Sequence, residues 1–121
     1  NGFRITPPAL ALMVLTLPAS AEPPEILAVE ARFASMGWRF DVTLSHPDTG
    51  WDHYADGWEV LNAAGRRLGY RELFHPHVEE QPFTRALTNV MIPDGTDAVF
   101  VRARCSRDGW SDELHRVSLT R

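Results

Sequence analysis

Two histidines separated by one proline, His75-Pro76-His77, stand in the stretch LFHPHVEEQPFTR, ahead of the adjacent carboxylates Glu79 and Glu80. Pro76 lacks an N–H and drives the residue before it into the extended region, which places this tripeptide at a sheet edge or in a loop. Residues i and i+2 of an extended chain point the same way, so both imidazoles can address one cation. Neutral imidazole suits zinc and copper, and mixed imidazole and carboxylate sets are common around zinc. A third ligand has to come from elsewhere in the chain, and His53, Asp52, Glu79 and Glu80 are the candidates. The favoured set is His53, His75 and His77, with Asp52 available to complete it. An HxH pair is a short motif that solvated loops also carry, so the pairing is an expectation to be tested against geometry.

The neighbouring stretch WDHYADGW concentrates Trp51, Asp52, His53, Tyr54, Asp56 and Trp58. It leads into a strand whose hairpin partner ends at Leu73-Phe74, and the open end of a hairpin brings its two flanks together. The same residues support a different class of function. Tryptophan and tyrosine beside aspartates stack on sugars or anchor a protein partner, which makes protein or glycan recognition through Trp51 and Tyr54 the alternative reading. Trp58 is expected in the core. Asp48, Asp52 and Asp56 recur at every fourth position, whereas a calcium loop of the EF-hand type needs acidic ligands at alternate positions around a glycine. His46, ahead of Pro47, and His115 are expected at the surface or rim, and Met36 and Met91 in core or turn packing.

Catalysis needs an activated group, and none is signalled. The GxSxG elbow, HExxH, the phosphate-binding loop and the dinucleotide glycine fingerprint are all missing from the sequence. Cys105 falls on the inward side of an apolar strand, where a thiol packs as a small hydrophobe. Glu79 and Glu80 are sequential, and in an extended chain they point to opposite sides. The expectation is therefore a binding module rather than an enzyme, with an unrecognised hydrolase ranked last.

The elements that must hold these groups are strands. Trp38 to Leu44 alternates apolar and polar residues without error, placing Trp38, Phe40, Val42 and Leu44 on one face. Leu27, Val29, Ala31 and Phe33 alternate in the same way before it. Trp58 to Leu61 and a following strand that places Leu68, Tyr70 and Phe74 on one face flank a hairpin turn at Asn62-Ala63-Ala64-Gly65. Ala86 to Ile92, Ala98 to Cys105 and Leu114 to Leu119 complete about seven strands, with Val99, Val101, Ala103 and Cys105 facing inward, as do Val117 and Leu119. Turn signals at intervals of about ten residues and the absence of an amphipathic helical period predict an all-β, antiparallel two-sheet sandwich.

Trp38 on the second strand, the WEVLNAAGRRLG hairpin and the late VFVRARC strand resemble fibronectin type III and other immunoglobulin-like domains, without the paired cysteines of antibody domains. The whole also looks like small secreted bacterial proteins of unassigned function. The resemblance implies a fold and a location and no activity.

Arg4, the apolar run Ala9 to Leu17 and the small-x-small pattern Pro18-Ala19-Ser20-Ala21 read as an export signal cleaved after Ala21. Residues 22–121 then form one domain, periplasmic or secreted. The apolar run falls short of the roughly 20 residues that cross a bilayer, and no stable membrane anchor is expected after cleavage. The basic residues are all arginine, 12 against 16 acidic, for a net charge of −4. An acidic chain without a basic cluster is a poor partner for nucleic acid, which rewards clustered positive charge. Cys105 is the single cysteine, so packing rather than an internal disulfide must stabilise the domain.

Overall fold

The computed structural model describes Gly2 and residues 22–120. The expected signal segment, residues 1–21, lies outside the described residues apart from Gly2. Regular structure among the described residues is all β-strand: β1 (Glu25–Ala34), β2 (Gly37–Ser45), β3 (Ala55–Leu61), β4 (Arg67–Glu72), β5 (Phe83–Val90), β6 (Ala98–Cys105), β7 (Gly109–Trp110) and β8 (His115–Ser118). No helix among them is long and apolar enough to cross a membrane. The strands form two antiparallel sheets, β1-β2-β5 and β4-β3-β6, with β7 and β8 sharing the far side of β6.

The alternating pattern of β2 explains how the sheets meet. Trp38, Phe40, Val42 and Leu44 are buried while the opposite face carries Arg39 and Asp41, joined through two 3.0 Å hydrogen bonds. β6 supplies the facing layer with Val99, Val101, Ala103 and Cys105, and Trp58 and Val60 of β3, Phe83 and Val90 of β5 and Val117 of β8 fill the space between. Burial of such side chains is the main favourable contribution in a chain of this size. Central β3 is covered on both faces. Its outward Glu59 is buried beneath Arg67 and Arg102, whose guanidinium nitrogens stand 2.7 and 2.6 Å from the carboxylate oxygens. Trp110 and Tyr70 cover that cluster, with the Arg102 guanidinium 4.9 Å from the Trp110 ring and that of Arg67 4.6 Å from Tyr70.

Three local expectations change in the folded chain. A register shift between Ile26 and Ala28 interrupts the alternation of β1, so Ile26 rather than Leu27 joins Val29 and Ala31 on the core and Leu27 is exposed, while Phe33, in phase with Val29 and Ala31, is half-exposed with its ring edge-on to Trp38 at 5.6 Å. In β4 the pairing with β3 sets Gly69 opposite Val60 and Arg71 opposite Trp58, turning this face inward, and Tyr70 opposite Glu59 on the outer face. Gly69 suits that position because a Cβ there would stand 2.9 Å from Leu87 of the other sheet. Phe74, beyond the end of β4, is exposed, whereas Leu73 is buried. β3 also begins at Ala55 rather than Trp58. The hairpin turn forms as expected: Asn62 Oδ1 accepts from the N–H groups of Ala64 and Arg66, and Gly65 takes a φ of 81° that favours glycine.

Truncation at the sheet interface tests this packing. Phe40→Ala should cost about 3–5 kcal/mol in urea denaturation, against a total stability of about 5–15 kcal/mol for ordinary domains. Leu27→Ala, on the bulge, should stay within about 0.5 kcal/mol of the parent.

Candidate functional site

Three connections meet at the end of the sandwich where β2 leaves its sheet. The chain after Ser45 folds back through His46, Pro47 and Asp48, then turns tightly at 49–53, where the Thr49 N–H donates to His53 O and the His53 N–H to Gly50 O. Trp51 and Asp52 form the exposed tip of that turn, while His53 returns inward and is buried. Tyr54 then ties this loop to the β6–β7 turn: its N–H donates to Ser106 Oγ and its carbonyl accepts from the Ser106 N–H. Because Ala55 pairs with Cys105, the chain just ahead of β3 lies beside the end of β6. His53 and Cys105, 52 positions apart in sequence, thereby become neighbours.

Asp48 organises the centre. Its buried carboxylate accepts from His46 Nδ1 at 2.5 Å, from the Ala55 N–H at 3.0 Å and from the His77 N–H at 2.8 Å. Gln81 adds a second tie, accepting from the His46 N–H and donating to the His77 carbonyl. His46 was expected at the surface, and the structure corrects this: its side chain is fully buried. Burial is tolerable because the Nδ1 proton is satisfied by a carboxylate, and that bond also directs the other ring nitrogen, Nε2, away from Asp48.

His46, His53 and Cys105 are the group that converges among the described residues. One donor atom from each lies within 4.8 Å of the other two, and all three residues are buried. The two imidazole rings meet edge to face with centroids 4.8 Å apart. His46 Nε2 and His53 Nε2 are buried without a hydrogen-bond partner. Such groups are rare in native interiors, because an unsatisfied buried acceptor forfeits its hydration. Donors held by one tetrahedral ion with bonds of about 2.0–2.3 Å stand about 3.3–3.8 Å apart, so movements on the order of 1 Å would close this set on a cation. Asp108, whose side chain is partly exposed, stands beside the cluster with Oδ2 3.8 Å from His53 Nε2.

Of the four residues singled out from sequence, His53 belongs to this group and the other three are placed differently. Asp52 is exposed at the turn tip. His75 and His77 do lie together, with ring centroids 4.5 Å apart, but their environments differ. His75 is exposed and its Nδ1 donates to the Pro76 carbonyl. His77 is buried, stacks on Phe83 at 3.9 Å, and its Nε2 accepts from the Arg85 guanidinium at 2.8 Å. Burial, reinforced by the Arg85 charge, holds the His77 imidazole below its ordinary pKa of 6.5. Its neutral form is the one that can accept from Arg85. Trp51 and Tyr54, the aromatics of the alternative reading, meet edge to face at 5.6 Å, and Trp51 is 68% exposed. Sequence reasoning overlooked His46 and Cys105 as donors. The signal available for His46 was the H-P-D spacing, which lets a histidine and an aspartate two residues on share a tight turn.

Two outcomes follow for this end of the domain. Asp48→Ala leaves three buried donors without an acceptor and should cost about 3–5 kcal/mol in denaturant titration, while Asp52→Ala should stay within about 0.5 kcal/mol. His77 has a folded pKa below its unfolded one, so its contribution is present above the ordinary value and is lost as pH falls through that value toward the depressed one. The melting temperature should therefore drop between about pH 7.5 and about pH 5. His77→Gln, which can still accept from Arg85, should show a smaller drop over the same interval.

No family model and no solved structure matches the chain. A protein of Halomicrobium mukohataei with the description "Putative lipoprotein" is similar to it, 44% identical over 92 residues that cover 74% of this chain and 45% of that protein. The chain thus spans about half the length of the curated relative it matches.

Proposed function

We propose that the chain is an exported, non-catalytic binding module that holds a transition-metal ion, zinc or copper, through His46, His53 and Cys105. The observation that carries this reading is the convergence of two buried imidazoles, each with an Nε2 that makes no hydrogen bond, and a thiol, with His46 oriented by Asp48. A carboxylate behind a histidine ligand fixes its tautomer and ring orientation and raises its basicity, the usual support for a metal-bound imidazole. Two imidazoles and a thiolate suit zinc and copper better than the hard cations magnesium and calcium, which take oxygen ligands. The ligand set thus moves from His53, His75, His77 and Asp52 to one in which only His53 is shared. A buried group closed around an ion supports binding or carriage rather than turnover.

The relative's description as a lipoprotein, together with the signal-like segment ahead of residue 22, supports export and association with the cell envelope. The strand order β1-β2-β5 facing β4-β3-β6, with β7 and β8 both paired to β6, supports the resemblance to fibronectin type III domains. A second reading, protein or glycan recognition, rests on the exposed Trp51 ring beside Tyr54.

Loading the protein with Co2+, a spectroscopic stand-in for zinc, tests the main reading. One ion per chain should appear in native mass spectrometry, with the intense near-ultraviolet charge-transfer band of a cobalt–thiolate bond. His46→Ala and Cys105→Ser should each abolish the band, whereas His75→Ala should leave it intact. A chain that takes up no stoichiometric ion at micromolar metal rules the proposal out.

A further inference from the structure

The donor triad has a carboxylate at its mouth. Asp108, on the turn between β6 and β7, places Oδ2 3.8 Å from His53 Nε2 and 3.8 Å from Cys105 Sγ. These separations, to two of the three donors, are close to the about 3.3–3.8 Å expected between two donors on one tetrahedral ion. Resting on the metal-binding reading above, we propose that Asp108 is the fourth ligand, and that the resulting N2SO set selects a divalent ion, zinc, over monovalent copper.

The argument is one of charge. Two neutral imidazoles, one thiolate and one carboxylate together carry two negative charges, which a divalent cation cancels. Asp48, buried behind His46, already lends the surroundings one negative charge, and a second carboxylate on the ion itself raises the attraction for a divalent cation twice as much as for a monovalent one. Zinc has no geometric preference of its own and accepts nitrogen, sulfur and oxygen donors in a tetrahedron. The Cys105 thiol is aimed at Asp108 Oδ2. On binding, the Cys105 S–H bond breaks, a sulfur–zinc bond forms, and one proton leaves to solvent. Asp108 is the partly exposed member of the set, so the turn that carries it supplies the way in.

Asp108→Asn keeps the shape of the side chain and removes its charge, and its exposed position on a turn spares the core. The full chain and this variant should be compared by chelator competition with Zn2+ and, under reducing anaerobic conditions, with Cu+. The expected result is a loss of at least about tenfold in zinc affinity with copper affinity unchanged or improved. Equal losses for both ions, or no loss for zinc, would overturn the assignment of Asp108 while the cobalt–thiolate band of the parent still upheld the triad. Absence of that band in the parent would remove both.

Discussion

A carboxylate buried away from water has to be surrounded by donors, and the end of this sandwich is arranged around that requirement at Asp48. Its two oxygens accept from the His46 ring, from the first amide of β3 and from the amide of His77, which stands in the β4–β5 connection. Three segments separated by up to 29 positions are thereby fixed to one another. The His46 ring has one orientation left, with Nδ1 toward Asp48 and Nε2 toward His53 and Cys105. Without Asp48 the histidine would have no reason to be buried, and the donor group would lose its most constrained member.

The sheets supply the rest of the geometry. The pairing of Ala55 with Cys105 brings the loop ahead of β3 to the end of β6, and the exchange of hydrogen bonds between Tyr54 and Ser106 holds it there. Cys105 occupies the last inward position of β6, below which Ala103, Val101 and Val99 continue the dry interior. The thiol therefore sits at the boundary between core and connection, packed like a hydrophobe on one side and facing two imidazoles and a carboxylate on the other. Its neighbours, rather than its strand, decide what it can do.

The two faces of the larger sheet solve different problems. Inward, Trp58 and Val60 are covered by the opposite sheet. Outward, Glu59 is covered by two arginines, themselves beneath Trp110 and Tyr70, which satisfies the charge locally and leaves that face closed. Tyr70 and Trp110 are thus committed to covering an ion cluster. Trp51, by contrast, is held out on a tight turn at the end of the domain that carries His46, His53 and Cys105.

Much of the fold was legible because a period of two is a local property: side chains of β2 and β6 alternate in sequence as they do in space, and their buried faces follow directly. Where one residue is inserted into the ladder, as at Leu27, the alternation in sequence no longer maps onto one face, and only the partner strand reveals the shift. The inward face of β4 had the same dependence, since Gly69 carries no apolar signal and earns its place through contact with Leu87 of the other sheet. For the site, the sequence determined that histidines would gather in the connections and that His53 would stand in an aromatic, acidic turn. Only tertiary structure decided which histidines meet. His75 and His77 are neighbours by spacing, but His77 is engaged by Arg85, whereas His46, His53 and Cys105 are joined by strand register and by a buried carboxylate. Hydrogen bonds between segments distant in the chain leave no periodic trace, which is why the pairing could not be read from residue order.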